Sequence, residues 1–137
     1  MKKQITEKLI QKRVIVVDDH ILFRDGLATL INSAEEYKVV GKAGNIMEAI
    51  GVAKSTSPDI IIVDFSPPDG NVTDATRAIL SAVPGCEVVF LTGQKNDPDH
   101  AAAVRAGAKG YLYKYVSGSE LISGLKALNN SEIPLIR

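Results

Sequence analysis

A single cysteine, Cys86, leaves no partner for an internal disulfide and no thiolate set for a structural zinc site. Charge of one sign is missing as well. The 16 Lys and Arg against 16 Asp and Glu give no net charge, so no basic field draws the chain to nucleic acid or an anionic membrane. Long apolar runs are absent, and stretches such as Ile60 to Val63 fall far short of the ~20 residues of a membrane span. The opening MKKQITEKLIQK alternates charge with isolated Ile and Leu and lacks the apolar core of a signal peptide. No internal repeat and no low-complexity tract occurs. These absences predict a cytoplasmic protein with no membrane segment. What remains is 137 residues, 45% of them hydrophobic, enough for one well-filled domain and too few for a second of full size.

The recurring unit is a short β-branched run, a polar or Gly-containing loop, and a helical pattern. The runs are Val14–Val17, Val39–Val40, Ile60–Phe65, Val88–Leu91 and Tyr111–Tyr113. Several are apolar without alternation, as expected of strands covered on both faces of a parallel sheet. Helices are predicted over Ile21–Ala34, Ile46–Ser55, Thr73–Ala82, Pro98–Ala106 and Ser119–Leu128. Asn45 with Glu48, and Ser117 with Glu120, read as capping boxes, and Asp97-Pro98 as an N-cap before a first-turn proline. Gly107 reads as a left-handed stop. Phe23, Leu27, Leu30, Ile31 and Ala34 form one helical stripe, and Leu121, Ile122, Leu125 and Leu128 another. The fourth helix offers only alanines and Val104, so a shallow, easily shifted packing face is expected. Five strands alternating with five helices predict a doubly wound α/β domain over residues 13–129, with a tail at 1–12.

Polar residues close the runs: Asp18 and Asp19 the first, Asp64 the third, Thr92 the fourth and Lys114 the fifth. In an open parallel sheet the carboxyl ends of the strands line one edge, so these side chains converge on one cleft. Taken singly each has a structural reading, as a helix cap, a turn former, a loop hydroxyl or a solvated lysine. Capping does not account for three carboxylates and a lysine at one edge. Two carboxylates ~4 Å apart repel by about 4 kcal/mol at an effective dielectric near 20, so three of them call for a cation. Oxygen ligands with room for waters favour Mg²⁺, and a metal beside a carboxylate and a lysine suits phosphoryl transfer with Asp64 as nucleophile.

With these residues in place, the chain resembles the receiver domain of two-component response regulators, most closely the LuxR-type (NarL-like) ones. VDDHILFRDGL at 17–27, PDIIIVDF at 58–65, ATRAI at 75–79, VVFLTG at 88–93 and RAGAKGYLYK at 105–114 carry the likeness. The steps of 28 residues from Asp64 to Thr92 and 22 from Thr92 to Lys114 also fit. The resemblance implies a flavodoxin-like (CheY-like) fold with strand order 2-1-3-4-5. It implies Asp64 as phospho-acceptor from a sensor histidine kinase. Mg²⁺ would be held by Asp18, Asp19, Asp64 and the backbone carbonyl of Ser66. Lys114 would pair with the acceptor and then with the phosphoryl oxygens. Thr92 would swing to the phosphate and Tyr111 would turn inward behind it. Homodimerisation on phosphorylation is a further expectation, and DNA is contacted only through an output domain outside this chain. The implied activity is a switch rather than a turnover enzyme.

Three positions depart from the family pattern: Gly93 replaces the usual Ala, Val72 stands where Gly is common, and Tyr115 follows the lysine. Two other readings compete. One is an interaction module of the same fold working without phosphate. The other is a Mg²⁺-dependent aspartyl phosphatase, which would want its DxD pair on the first strand, whereas Asp64-Phe65-Ser66 lies on the third and lacks the second Asp. A flavodoxin-type FMN site is disfavoured, because it would want a Ser/Thr-rich, phosphate-cradling loop after the first strand, where DDH puts two negative charges. Residues 130–137 (NSEIPLIR) are read as the start of a linker, which favours a fragment of a longer transcription factor over a stand-alone receiver.

Overall fold

The computed structural model describes residues 10–64, 70–94 and 98–131, with the backbone of 135–136. Strands β1 (Lys12–Val17), β2 (Tyr37–Ala43), β3 (Ile60–Asp64), β4 (Glu87–Thr92) and β5 (Gly110–Tyr113) pair in parallel in the order 2-1-3-4-5. Helices α1 (Ile21–Asn32), α2 (Ile46–Thr56), α3 (Val72–Ala82), α4 (Pro98–Ala106) and α5 (Gly118–Asn129) alternate with them. A two-residue strand, β6 (Leu135–Ile136), extends the sheet beyond β5, pairing Gly110 with Leu135 and Tyr111 with Ile136. It comes from the stretch that reads as linker.

The β-branched runs form strands because their side chains are buried on both sides of the sheet. Along β1, Ile15 and Val17 point to a core shared with Ala49, Ala53, Ala75, Ile79 and Ala103 of α2, α3 and α4. Val14 and Val16 point to the opposite core, with Leu27 and Ile31 of α1 and Leu125 and Leu128 of α5. The same alternation runs through β3, where Ile61 and Val63 face one side and Ile60 and Ile62 the other. An irregularity between Val14 and Ile15 lets β2 advance by one residue beside Val40. Gly41 follows it, and a Cβ there would overlap Val52.

Local signals act largely as expected. Ser117 and Glu120 form a complete capping box. Asn45 accepts from the Glu48 amide, while the Glu48 carboxylate reaches one residue further back, to the Gly44 amide at 3.0 Å, so this second box is only half made. Asn71 caps α3 through the Asp74 amide at 2.8 Å, a signal the sequence reading passed over. Gly107 has φ +117, and the Ala108 amide returns to the Ala103 carbonyl, the bond of a left-handed helix stop. The Asp97 cap lies outside the described residues. At the opposite pole, Tyr37 donates to Asn129 and Asn129 to Glu87, tying the end of α5 to β2 and β4. Lys109 donates to the Ser131 carbonyl, fixing the chain as it leaves α5.

Candidate functional site

The edge formed by the carboxyl ends of the strands collects the predicted residues. Side-chain alternation decides how they meet. Asp64 continues the series Ile60, Ile62 on the α1/α5 side of β3, and Lys114 continues from Leu112 on the same side of β5. Their side chains therefore meet over 50 positions of sequence, with Lys114 Nζ 3.3 Å from Asp64 Oδ1. Both are largely buried, Asp64 13% and Lys114 24% exposed, so this pair is less screened than a surface one. The backbone reinforces it, since the Lys114 amide continues the ladder to the Thr92 carbonyl at 2.9 Å.

Asp18 directly follows β1 and is 3% exposed. Its Oδ1 accepts from the His20 amide at 2.9 Å and lies 3.0 Å from His20 Nδ1, which is also 3.2 Å from Asp19 Oδ1. Asp18, Asp19, His20 and Asp64 each bring a potential ligand atom within 4.8 Å of the others. Three carboxylates against Lys114 leave this corner negative. The field is visible on His20: a hydrogen bond to Asp18, then the charges of Asp18, Asp19 and Asp64, raise its pKa above the ordinary histidine value. The donor set, oxygen-rich with one exposed imidazole at its rim, fits a small hard divalent cation. The sequence reading passed over the ring of His20, although DDH places an imidazole beside the pair. Ser66, the remaining expected ligand, lies outside the described residues.

Thr92 turns the other way. It continues Val88 and Phe90 toward α4, is buried, and binds Gln94 twice: its hydroxyl donates to the Gln94 carbonyl and accepts from the Gln94 amide, each at 3.0 Å. His100 Nε2 approaches the same oxygen at 3.3 Å. Tyr111 is already inside, 0% exposed, between Phe90 at 5.2 Å and His100 at 4.1 Å. The face of α4 thus carries a buried histidine besides its alanines, where the sequence suggested only a shallow surface. Nothing in composition marked His100, because only the approach of α4 to β4 and β5 gives it partners.

Two departures acquire reasons here. A Cβ on Gly93 would lie 2.9 Å from the Tyr115 ring and 3.5 Å from Lys114 Cε, so glycine clears space for both. Val72 is buried as the first residue of α3 and fills the core that a glycine would leave open. Around the mouth, Phe23 and Tyr115 stand 5.7 and 5.9 Å from the Lys114 ammonium. Phe23, expected in the core stripe of α1, is 38% exposed and belongs to this rim. Ile21, Leu22 and Val116 are also exposed. Among the described residues no helix is long and apolar enough to cross a membrane.

Comparison with known proteins agrees with this fold. The family model for the response regulator receiver domain matches residues 14–126. The DNA-binding transcriptional activator DevR/DosR of Mycobacterium tuberculosis is 37% identical over 114 residues, covering 83% of this chain and 52% of its own. The uncharacterized transcriptional regulatory protein YxjL of Bacillus subtilis is 36% identical over 120 residues, 88% of this chain and 55% of its own. Among solved structures, a LuxR-family two-component response regulator from Aurantimonas sp. SI85-9A1 superposes with a TM-score of 0.79 at 30% identity, covering 86% of this chain and 84% of that one. The receiver domain of the putative response regulator NarL from Mycobacterium tuberculosis gives 0.79 at 25%, covering 89% and 99%. The chain spans about half the length of the curated relatives it matches. With its acidic corner, its lysine and its 2-1-3-4-5 sheet, this chain belongs to the response regulator receiver domain family.

Proposed function

We propose that this domain is a phosphorylation switch in which Asp64 accepts a phosphoryl group from the phosphohistidine of a sensor kinase. The observation that carries the reading is the meeting of Asp64 with Lys114 at 3.3 Å on one side and with the Asp18–Asp19 pair on the other. A lone surface aspartate has no use for both an ammonium and two further carboxylates. In the transfer an Asp64 carboxylate oxygen bonds to phosphorus, the phosphorus–nitrogen bond breaks, and the imidazole leaves; hydrolysis of the acyl phosphate restores the carboxylate.

Asp18, Asp19 and Asp64 would hold Mg²⁺, with the Ser66 carbonyl as the expected fourth ligand from this chain. When bound, the ion supplies neutralisation of charge on the transferred group. Lys114 exchanges its bond to Asp64 for one to a phosphoryl oxygen, a charge-assisted contact that survives the reaction. Thr92 supplies a hydroxyl that the new oxygens can draw from its present partners. The exposed apolar residues Leu22 and Val116, which line a cleft with Phe23 and Lys114, suit a protein donor rather than a small, fully engulfed substrate. The regulatory names of the half-matching relatives support an output in transcription; a DNA-binding output domain and dimerisation on phosphorylation are further parts of this proposal.

Intact-mass measurement with acetyl phosphate and Mg²⁺ tests this reading. One phosphoryl adduct is expected on the native chain, none without Mg²⁺ and none on Asp64→Asn, which keeps its circular dichroism. An adduct retained by Asp64→Asn refutes the assignment. Absence of any adduct on the native chain favours an interaction module working without phosphate.

A further inference from the structure

Resting on that reading, we propose that His100 is a positioning residue of the switch, joining the phosphate-sensing hydroxyl of Thr92 to the buried ring of Tyr111. The imidazole is 2% exposed and touches both. Its Nε2 lies 3.3 Å from Thr92 Oγ1, and its ring is stacked on Tyr111 with centroids 4.1 Å apart and planes 27° from parallel. Tyr111 in turn stacks on Phe90 of β4 and directs its hydroxyl to the Asp99 carbonyl at 3.5 Å, on the same helix as His100. Thr92, His100 and Tyr111 are thus one contiguous chain bridging β4, α4 and β5.

The hydrogen-bond inventory says what His100 does there. Thr92 Oγ1 has three partners, the Gln94 carbonyl, the Gln94 amide and His100 Nε2, and the imidazole donates to it or accepts from it according to its tautomer. A buried hydroxyl held by three contacts is costly to move, because each partner it leaves must be satisfied elsewhere. Thr92 ends the strand beside the one that Asp64 ends, with Leu91 the register partner of Asp64. A phosphoryl group on Asp64 therefore competes with His100 and Gln94 for the hydroxyl. When the hydroxyl leaves, the imidazole loses a partner directly beneath Tyr111, and α4 feels the change through a side chain packed on both. His100 sets how strongly the unmodified domain resists switching, and carries the change from Thr92 to the aromatic. The alanine-rich remainder of the α4 face leaves the helix few other anchors, so the histidine contact counts for more.

The test is a double-variant cycle read by titration of the full chain with beryllofluoride in Mg²⁺, followed by amide and tyrosine-ring NMR signals. His100→Phe keeps a stacking ring and removes the nitrogen. It is expected to tighten apparent beryllofluoride affinity about two- to tenfold, the range one net hydrogen bond spans. In a Thr92→Val background the same substitution is expected to change affinity by less than about twofold, since the partner is gone. His100→Gln, which retains a donor, returns affinity toward native. His100→Met serves the same purpose should phenylalanine disturb folding. Equal shifts with and without the Thr92 hydroxyl would reduce His100 to packing and overturn the proposal, as would no shift in either background. Failure of the native chain to bind beryllofluoride at all would instead remove the phospho-acceptor reading beneath it.

Discussion

Replacing Asp19 with asparagine removes one of three carboxylates whose oxygens lie within 4.8 Å of one another. At that spacing each pair repels by about 1 kcal/mol in a water-like dielectric and about 3.5 kcal/mol at an effective value of 20. Asp19 is 54% exposed, so the lower figure governs, and it faces two like charges. The summed relief is about 2 kcal/mol, reduced to about 1 kcal/mol net by the lost attraction to neighbouring cations. Without metal, Asp19→Asn is therefore expected to be more stable than the native chain, by about 3–5 °C in melting temperature for a domain of this size. The assay is paired thermal and urea unfolding in chelator at low salt and mildly alkaline pH. High salt should shrink the difference, because it screens the exposed charges. Mg²⁺ should reverse it by binding the native site in preference to the weakened one. A variant that is no more stable than the native chain in chelator would refute the crowded acidic corner, and with it the argument for a cation.

Four further outcomes are expected. Lys114→Met should slow phosphorylation by acetyl phosphate about 10- to 100-fold, as befits a lost charge-assisted bond, and an unchanged labelling rate would remove the lysine from the reaction. Thr92→Ala should separate modification from response, with an adduct seen by mass but no accompanying change in size by light scattering; normal coupling would take Thr92 out of the switch. Burial, with Glu87 and Asp59 nearby, pushes the Cys86 thiol up to about 12. The native chain should then ignore thiol reagents that label the unfolded one. Because the folded form holds the proton more tightly, this contribution to stability is complete below the unfolded value near 8.5 and is lost as pH rises toward the folded one. Cys86→Ala should flatten that alkaline slope in urea unfolding. Gly41→Ala should cost about 1–3 kcal/mol in the same assay, since its Cβ would press on Val52 beside the β2 irregularity.

The sequence alone determined the strands, the helices and the edge at which the polar run-ends gather. β-branched runs are buried on both faces whatever their neighbours, and Ser117 with Glu120 caps α5 through bonds only three residues apart. Asp18, Asp64, Thr92 and Lys114 were legible because each terminates a run, and a parallel sheet brings such ends together. What only the tertiary structure decided is which partner each side chain meets. His20 and His100 look alike in a one-dimensional reading, yet one lies exposed against two aspartates and the other is sealed beneath Tyr111. Phe23 fits a core stripe by spacing and stands instead at the mouth, over Lys114. Leu135 and Ile136 form a strand because the outer edge of β5 is open to pair with them. Local rules act through bonds of a few residues, whereas these outcomes depend on the distances between separately formed elements, which exist only after packing.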